Sequence, residues 1–152
     1  KLHTRSIQSI REKIRPGDDE INILLLGETG VGKSTFINAF ANYLRYDSLE
    51  VAERMEMTTL IQSSFEIEGT IVTAGKPDQN EKLKNGQSST QYCRSYVFPL
   101  NDDIKIRLID TPGIGDTRGV KQDRINFEEI MDYISGFDRI HGVCILLLPD
   151  TP

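Results

Sequence analysis

Gly27-Glu28-Thr29-Gly30-Val31-Gly32-Lys33-Ser34 satisfies the pattern G-x-x-x-x-G-K-[ST] at every fixed position and runs on into Thr35-Phe36-Ile37-Asn38. The pattern carries chemistry only in the right setting, so its flanks decide its meaning. Residues 21–26, Ile-Asn-Ile-Leu-Leu-Leu, form a short apolar run rich in branched side chains, as expected of a strand buried on both faces. Downstream, Phe36, Ile37, Phe40 and Leu44 recur at helical spacing with no proline or glycine between them. Strand, glycine loop and helix therefore follow in the order that phosphate binding requires. The glycines let the backbone curl so that successive N–H groups face inward, and the helix start adds the positive end of its dipole. Glu28, Thr29, Gly30, Val31, Gly32, Lys33, Ser34 and Thr35 are the expected phosphate cradle. Lys33 would reach the β- and γ-phosphates, and the Ser34 hydroxyl would ligate Mg2+.

A second motif supplies what such a loop needs opposite its lysine. Ile104, Ile106, Leu108 and Ile109 predict a strand that runs straight into Asp110-Thr111-Pro112-Gly113-Ile114-Gly115-Asp116. The Asp110 carboxylate would hold the magnesium through a water. The N–H of Gly113, with no side chain in the way, would meet a γ-phosphate.

The rest of the chain is organised around these two loops. Ile7, Ile10 and Ile14 predict a short amphipathic helix over 4–15, closed by Pro16-Gly17-Asp18-Asp19. Residues 48–57 predict a second short helix, and residues 60–67 and 70–73 a pair of strands. Residues 76–89, rich in Lys, Asn, Gln, Gly and Ser, read as a mobile loop. Alternation over 92–98 predicts a strand forming an antiparallel hairpin with the one before Asp110, across the turn Asn101-Asp102-Asp103. A helix over 121–137, with Ile125, Ile130, Ile134 and Phe137 inward, and a buried strand over 140–148 complete the pattern.

At 152 residues the chain has room for one hydrophobic core. With 18 basic and 23 acidic side chains the formal charge is −5, which gives no reason to expect a nucleic-acid or anionic-membrane partner. Cys93 and Cys144 sit in apolar strand-like runs and read as buried free thiols, which suits a reducing compartment. No apolar run approaches a membrane span and no signal-peptide core is present, so a cytoplasmic location is the default expectation. His3 and His141 read as structural or solvated side chains.

The pair GETGVGKST and DTPGIGDT resembles the translation-factor-related P-loop GTPases, and within them the septin-like group of septins, Toc GTPases and immunity-associated GTPases. The resemblance runs from about residue 21 to 152. It implies an α/β fold of three layers, a Ras-like G domain whose mostly parallel sheet carries one antiparallel strand. The first 20 residues would be an N-terminal helix and turn, and 21–152 the N-terminal part of the G domain. It also implies GTP and GDP as ligands with Mg2+ as cofactor. In the immunity-associated family the switch I threonine lies in a Ser-x-Thr-x-x-Cys run, matched here by Ser88-Ser89-Thr90-Gln91-Tyr92-Cys93. Thr90 is therefore the expected metal-binding and γ-phosphate-sensing residue, ahead of Thr58, Thr59, Thr70 and Thr73. The implied metal set is Ser34, Thr90 and Asp110, and the implied catalytic set is Lys33, Thr90 and Gly113.

The sequence departs from the family pattern in three places. The separation of Lys33 from Asp110 is long, which suggests an insertion over 47–85. The guanine-reading Asn/Thr-Lys-x-Asp motif belongs after the strand over 140–148, and the sequence stops before it, so the fold is expected to be truncated there, with Val143, Ile145 and Leu147, or the residues alternating with them, facing solvent along an unpaired edge. Ile114 stands where Ras-like proteins carry a water-orienting glutamine. Slow hydrolysis is the consequence, or completion by an outside group such as a second copy or a homologous GTPase docked across the nucleotide face, with Arg118 a candidate contact. Two rivals stay open: an ATP-driven P-loop enzyme, although Asp110 is followed by Thr111 and not by a glutamate, and a non-catalytic module whose nucleotide is structural or absent.

Overall fold

The computed structural model describes residues 19–67, 70–76, 90–115 and 119–148. The expected helix over 4–15, nearly all of the 76–89 loop, Asp116, Arg118 and the last four residues lie outside them.

Among the described residues, six strands and three helices follow in the order β1 (Glu20–Gly27), α1 (Lys33–Arg45), α2 (Leu49–Ala52), β2 (Ser63–Ile67), β3 (Thr70–Ala74), β4 (Arg94–Pro99), β5 (Lys105–Asp110), α3 (Val120–Ser135) and β6 (Gly142–Leu146). The main sheet has the order β4-β5-β1-β6. β1 lies parallel to both neighbours, from Glu20↔Lys105 to Leu24↔Ile109 on one side and from Ile23↔Gly142 to Gly27↔Leu146 on the other. β4 is antiparallel to β5, from Arg94↔Asp110 to Pro99↔Lys105. Asn101 closes that hairpin, its Oδ1 accepting from the amides of Asp103 (2.9 Å) and Ile104 (2.8 Å).

Side chains alternate across the sheet and so feed two cores. Ile21 and Leu25 of β1, Ile106 and Leu108 of β5 and Phe98 of β4 face Ile37 and Ala41 of α1. Leu24 and Ile109 point the other way, against Ile130, Tyr133 and Ile134 of α3. A sheet between two helical layers results. The expected inward position of Ile125 is corrected: it is 48 % exposed, while Asn126 is buried. Five residues separate Ile125 from Ile130, which at about 100° per residue sets them on different faces; Asn126, Ile130 and Ile134 keep the spacing of four.

The region between α1 and β4 is tied down by amides on α1. Asn38 Oδ1 accepts from the N–H groups of Leu60 (2.8 Å) and Ile61 (3.0 Å), and its Nδ2 donates to the Ile61 carbonyl (2.8 Å). One turn on, Asn42 makes the same pair of bonds to Thr58, at 2.8 and 2.7 Å. Residues 58–61 thus pair with side-chain amides as they would with a strand, and Ile61 is delivered fully buried into the α1 core. Asn38 Nδ2 also donates to Ser63 Oγ (3.2 Å), so Asn38→Ala should remove about 4 kcal/mol of stability, four bonds at about 1 kcal/mol each, read as a lowered urea midpoint with an unchanged m-value. β2 and β3 form a separate antiparallel hairpin, from Ser63↔Ala74 to Ile67↔Thr70.

The connections after β1 and β5 leave to opposite faces, so a crevice opens outside their carboxyl ends. In a parallel sheet this is where ligands bind. The last strand shows apolar side chains to solvent: Val143 and Ile145 are more than half exposed. Among the described residues no helix is long and apolar enough to cross a membrane.

Candidate functional site

The glycine loop occupies that crevice. Gly32 takes φ 97°, a left-handed conformation that glycine adopts without a Cβ penalty, and caps α1 with no side chain in the way. No acidic side chain stands in the first turn of α1. The 13-residue helix therefore presents its positive end to the loop with no acidic side chain of its own first turn to neutralise it.

Lys33 is buried, and its Nζ donates to the carbonyls of Gly27 (3.0 Å) and Glu28 (3.1 Å). These two bonds curl the ammonium back over the loop, where an anion on the amides would meet it. Two of the cradle's amides are engaged within the protein: Thr29 donates to the Ile114 carbonyl (2.9 Å) and Val31 to that of Glu28 (3.3 Å). The amides of Gly30 and of Gly32 to Thr35 lie along the turn into the helix.

Three oxygens from three distant parts of the chain meet beside the lysine. Ser34 Oγ lies 3.4 Å from Thr90 Oγ1 and 3.3 Å from Asp110 Oδ2, and Thr90 Oγ1 lies 3.3 Å from the same carboxylate oxygen. Thr58 is held on α1 by Asn42, Thr59 lies against Gly75, and Thr70 and Thr73 belong to the β2–β3 hairpin, so of the five candidate threonines Thr90 is the one brought to the site. Thr90 and Asp110 are buried. Burial pushes the Asp110 carboxyl up to about 6, against the opposing pull of the Lys33 ammonium and of hydrogen bonds from Thr90, Ser34 and the Thr111 amide.

This donor set fits a small hard cation. Among the described residues no group of three or more His, Cys, Asp or Glu side chains could hold a metal. The set here is instead one carboxylate and two hydroxyls, all oxygen, and a buried carboxylate whose charge is under-compensated is what a divalent ion would relieve. Ser34, Thr90 and Asp110 would hold it.

The stretch after Asp110 is laced onto the loop. Thr111, fully buried, donates its hydroxyl to the Leu25 carbonyl at 2.7 Å. Ile114 returns its N–H to the Gly27 carbonyl (3.2 Å), so that residues 27–29 and 114 form a miniature parallel ladder. Gly113 lies against Thr29 so closely that a Cβ there would come within 2.8 Å of the Thr29 nitrogen. Thr29 Oγ1 is buried at this contact without a hydrogen-bond partner among the described residues.

Asn126 was not foreseen from the sequence as part of this site. Buried on α3, it donates from Nδ2 to the Gly113 carbonyl at 2.9 Å, and its Oδ1 accepts from Gln122 Nε2 at 2.8 Å. The signal was an asparagine standing at the helical spacing of the apolar stripe.

With the geometry in place, comparison with known proteins decides the family. The model of the family described as 50S ribosome-binding GTPase matches residues 22–147. The chain belongs to this GTPase family. The resemblance to septin-like P-loop GTPases also stands at low identity. GTP-binding protein A of Dictyostelium discoideum is 28 % identical over 148 residues, which is 97 % of this chain and 24 % of that protein. Septation protein 7 of Candida albicans is 26 % identical over 141 residues, 87 % of this chain and 20 % of its own length. Septin-10 of Rattus norvegicus is 35 % identical over 95 residues, covering 57 % of this chain and 21 % of itself. The chain thus spans no more than about a quarter of these relatives. The α/β fold with its mostly parallel sheet is that of a P-loop GTPase domain.

Proposed function

We propose that this GTPase domain is a guanine-nucleotide switch that binds GTP with Mg2+ and hydrolyses it slowly. The observation that carries this is the meeting of Ser34, Thr90 and Asp110 beside Lys33 at the mouth of the loop. Its preference for guanine is supported by the family and by the relative named a GTP-binding protein.

The amides of the loop and the start of α1 grip the β-phosphate, and Lys33 spans the β- and γ-phosphates. A bound magnesium would neutralise charge on the β- and γ-oxygens. Gly113 offers its N–H toward the γ-phosphate, and Thr90 ties the segment ahead of β4 to the same point. Loss of the γ-phosphate would release both segments and change which partners the domain accepts.

Water alignment is the weak step. Ile114 is bonded to the loop through its own N–H and carbonyl, and its hydrocarbon side chain, 44 % exposed, cannot orient a water. Turnover by the isolated domain is therefore slow, or completed by a second copy or homologous GTPase across the nucleotide face; Arg118 remains the candidate contact on that loop, outside the described residues. Cytoplasmic location fits such a switch.

The test is equilibrium binding of labelled GTP and ATP with Mg2+. GTP should bind at least about tenfold tighter than ATP, and Lys33→Ala should weaken GTP about a hundredfold, the worth of one or two charge-assisted hydrogen bonds. Equal affinity for ATP would favour the ATP-driven enzyme, and no binding of either would favour the interaction module.

A further inference from the structure

The peptide joining Gly113 to Ile114 is held at both of its polar ends by different parts of the fold. Its carbonyl accepts from Asn126 Nδ2 on α3 (2.9 Å), and its N–H donates to the Gly27 carbonyl at the start of the glycine loop (3.2 Å). With that plane held on one side and Thr111 anchored to the Leu25 carbonyl on the other, the Gly113 N–H between them is restricted in where it can point. The amide of Asn126 is itself oriented, because Gln122 donates to its Oδ1 and so turns its Nδ2 toward Gly113. Both residues lie on the inner side of α3, one turn apart, and Asn126 is 96 % removed from solvent.

We propose that Asn126 is a positioning residue that couples helix α3 to recognition of the γ-phosphate, by clamping the 113–114 peptide against the glycine loop. The inference deepens the nucleotide function proposed above and rests on it for its ligand. An apolar side chain would serve the packing of α3 equally well; a buried amide satisfied at both ends serves geometry. A partner that shifts α3 would through this clamp change how the loop senses a triphosphate. A bound triphosphate would in turn fix the start of α3.

Two measurements on the protein decide it. The first compares the affinities of GDP and a non-hydrolysable GTP analogue with Mg2+. Asn126→Ala should weaken the analogue about tenfold and leave GDP within about twofold. Gln122→Ala, a half-buried residue whose loss threatens the fold less, should give a smaller change in the same direction. Equal losses for both nucleotides, or an unchanged ratio in both variants, would overturn the proposal. The second is amide hydrogen exchange without nucleotide. Ile114 and Thr29 should exchange at least about fivefold faster in Asn126→Ala, while Leu24 and Leu25 in the middle of β1 stay as in the wild type. Unchanged exchange at Ile114 would remove the clamp. If the wild-type protein bound no guanine nucleotide, the proposed function would fail and the coupling with it, whereas the exchange result would still say whether the clamp exists.

Discussion

Gly113→Ala is expected to abolish the preference for a triphosphate while leaving the sheet intact. An added methyl would stand 2.5 Å from Thr29 Oγ1, 2.7 Å from Thr29 Cα and 2.8 Å from Thr29 N. The hydroxyl can rotate away; the backbone atoms cannot. The 113–114 segment must therefore lift off the loop and give up the Thr29-to-Ile114 and Ile114-to-Gly27 bonds. Two hydrogen bonds at about 1 kcal/mol each and the residual overpacking sum to about 2–4 kcal/mol against the closed arrangement. Affinity for a GTP analogue should fall at least about thirtyfold, and affinity for GDP far less, by titration calorimetry. A second substitution separates side-chain from backbone crowding. Thr29→Ala removes the hydroxyl but neither backbone atom, so it should not restore triphosphate binding to Gly113→Ala. Full rescue would mean that only the hydroxyl was in the way.

The same contact explains how far the sequence could be read. Apolar runs located β1 and β6, and periodicity α1 and β5, although β6 is not the buried strand its run suggests, being half-buried with Val143 and Ile145 exposed; the two loops were legible because their chemistry needs fixed residue types at fixed offsets. Thr90 could be singled out only through likeness to a known run of residues, and the structure brings it within 3.4 Å of Ser34. What stayed hidden was the polar wiring between elements. Asn38 and Asn42 look like ordinary helix positions until residues 58–61 come alongside, and Asn126 looks like an interruption of the α3 stripe until the Gly113 carbonyl is seen above it. Such partners are set by tertiary placement, to which a helical period is blind. Ile125 departs from expectation for the converse reason: its side chain is apolar, but its phase on the helix turns it to solvent.

Asp110→Asn should make the ligand-free protein more stable and the loaded protein less so. Asp110 is 1 % exposed, and taking its charge out of water costs more than Lys33 and three hydrogen bonds return, so its carboxyl titrates at about 6, up from an ordinary 3.8. The sign follows from which state holds the proton. Between these two values the unfolded chain has released it and the folded chain has not, so stability falls as pH rises through the window, by on the order of 3 kcal/mol in all. An asparagine carries no such penalty. Its Oδ1 can accept from the Thr111 amide as the carboxylate now does, and its Nδ2 can donate to the Ser34 and Thr90 hydroxyls. Without nucleotide or metal at pH 7.5, the variant should melt about 3–8 °C higher than wild type, and its melting temperature should lose the wild type's decline between pH 4 and 6.5. Adding millimolar Mg2+ with a GTP analogue should reverse the order, because only the ionised carboxylate attracts the cation and only the wild type then gains the full stabilisation of a tightly held ligand. A variant that melts lower than wild type in both conditions would mean that Asp110 is there to hold the fold together. The crossover would mean that the domain keeps an unstable charge in its core for the ion that is to sit beside it.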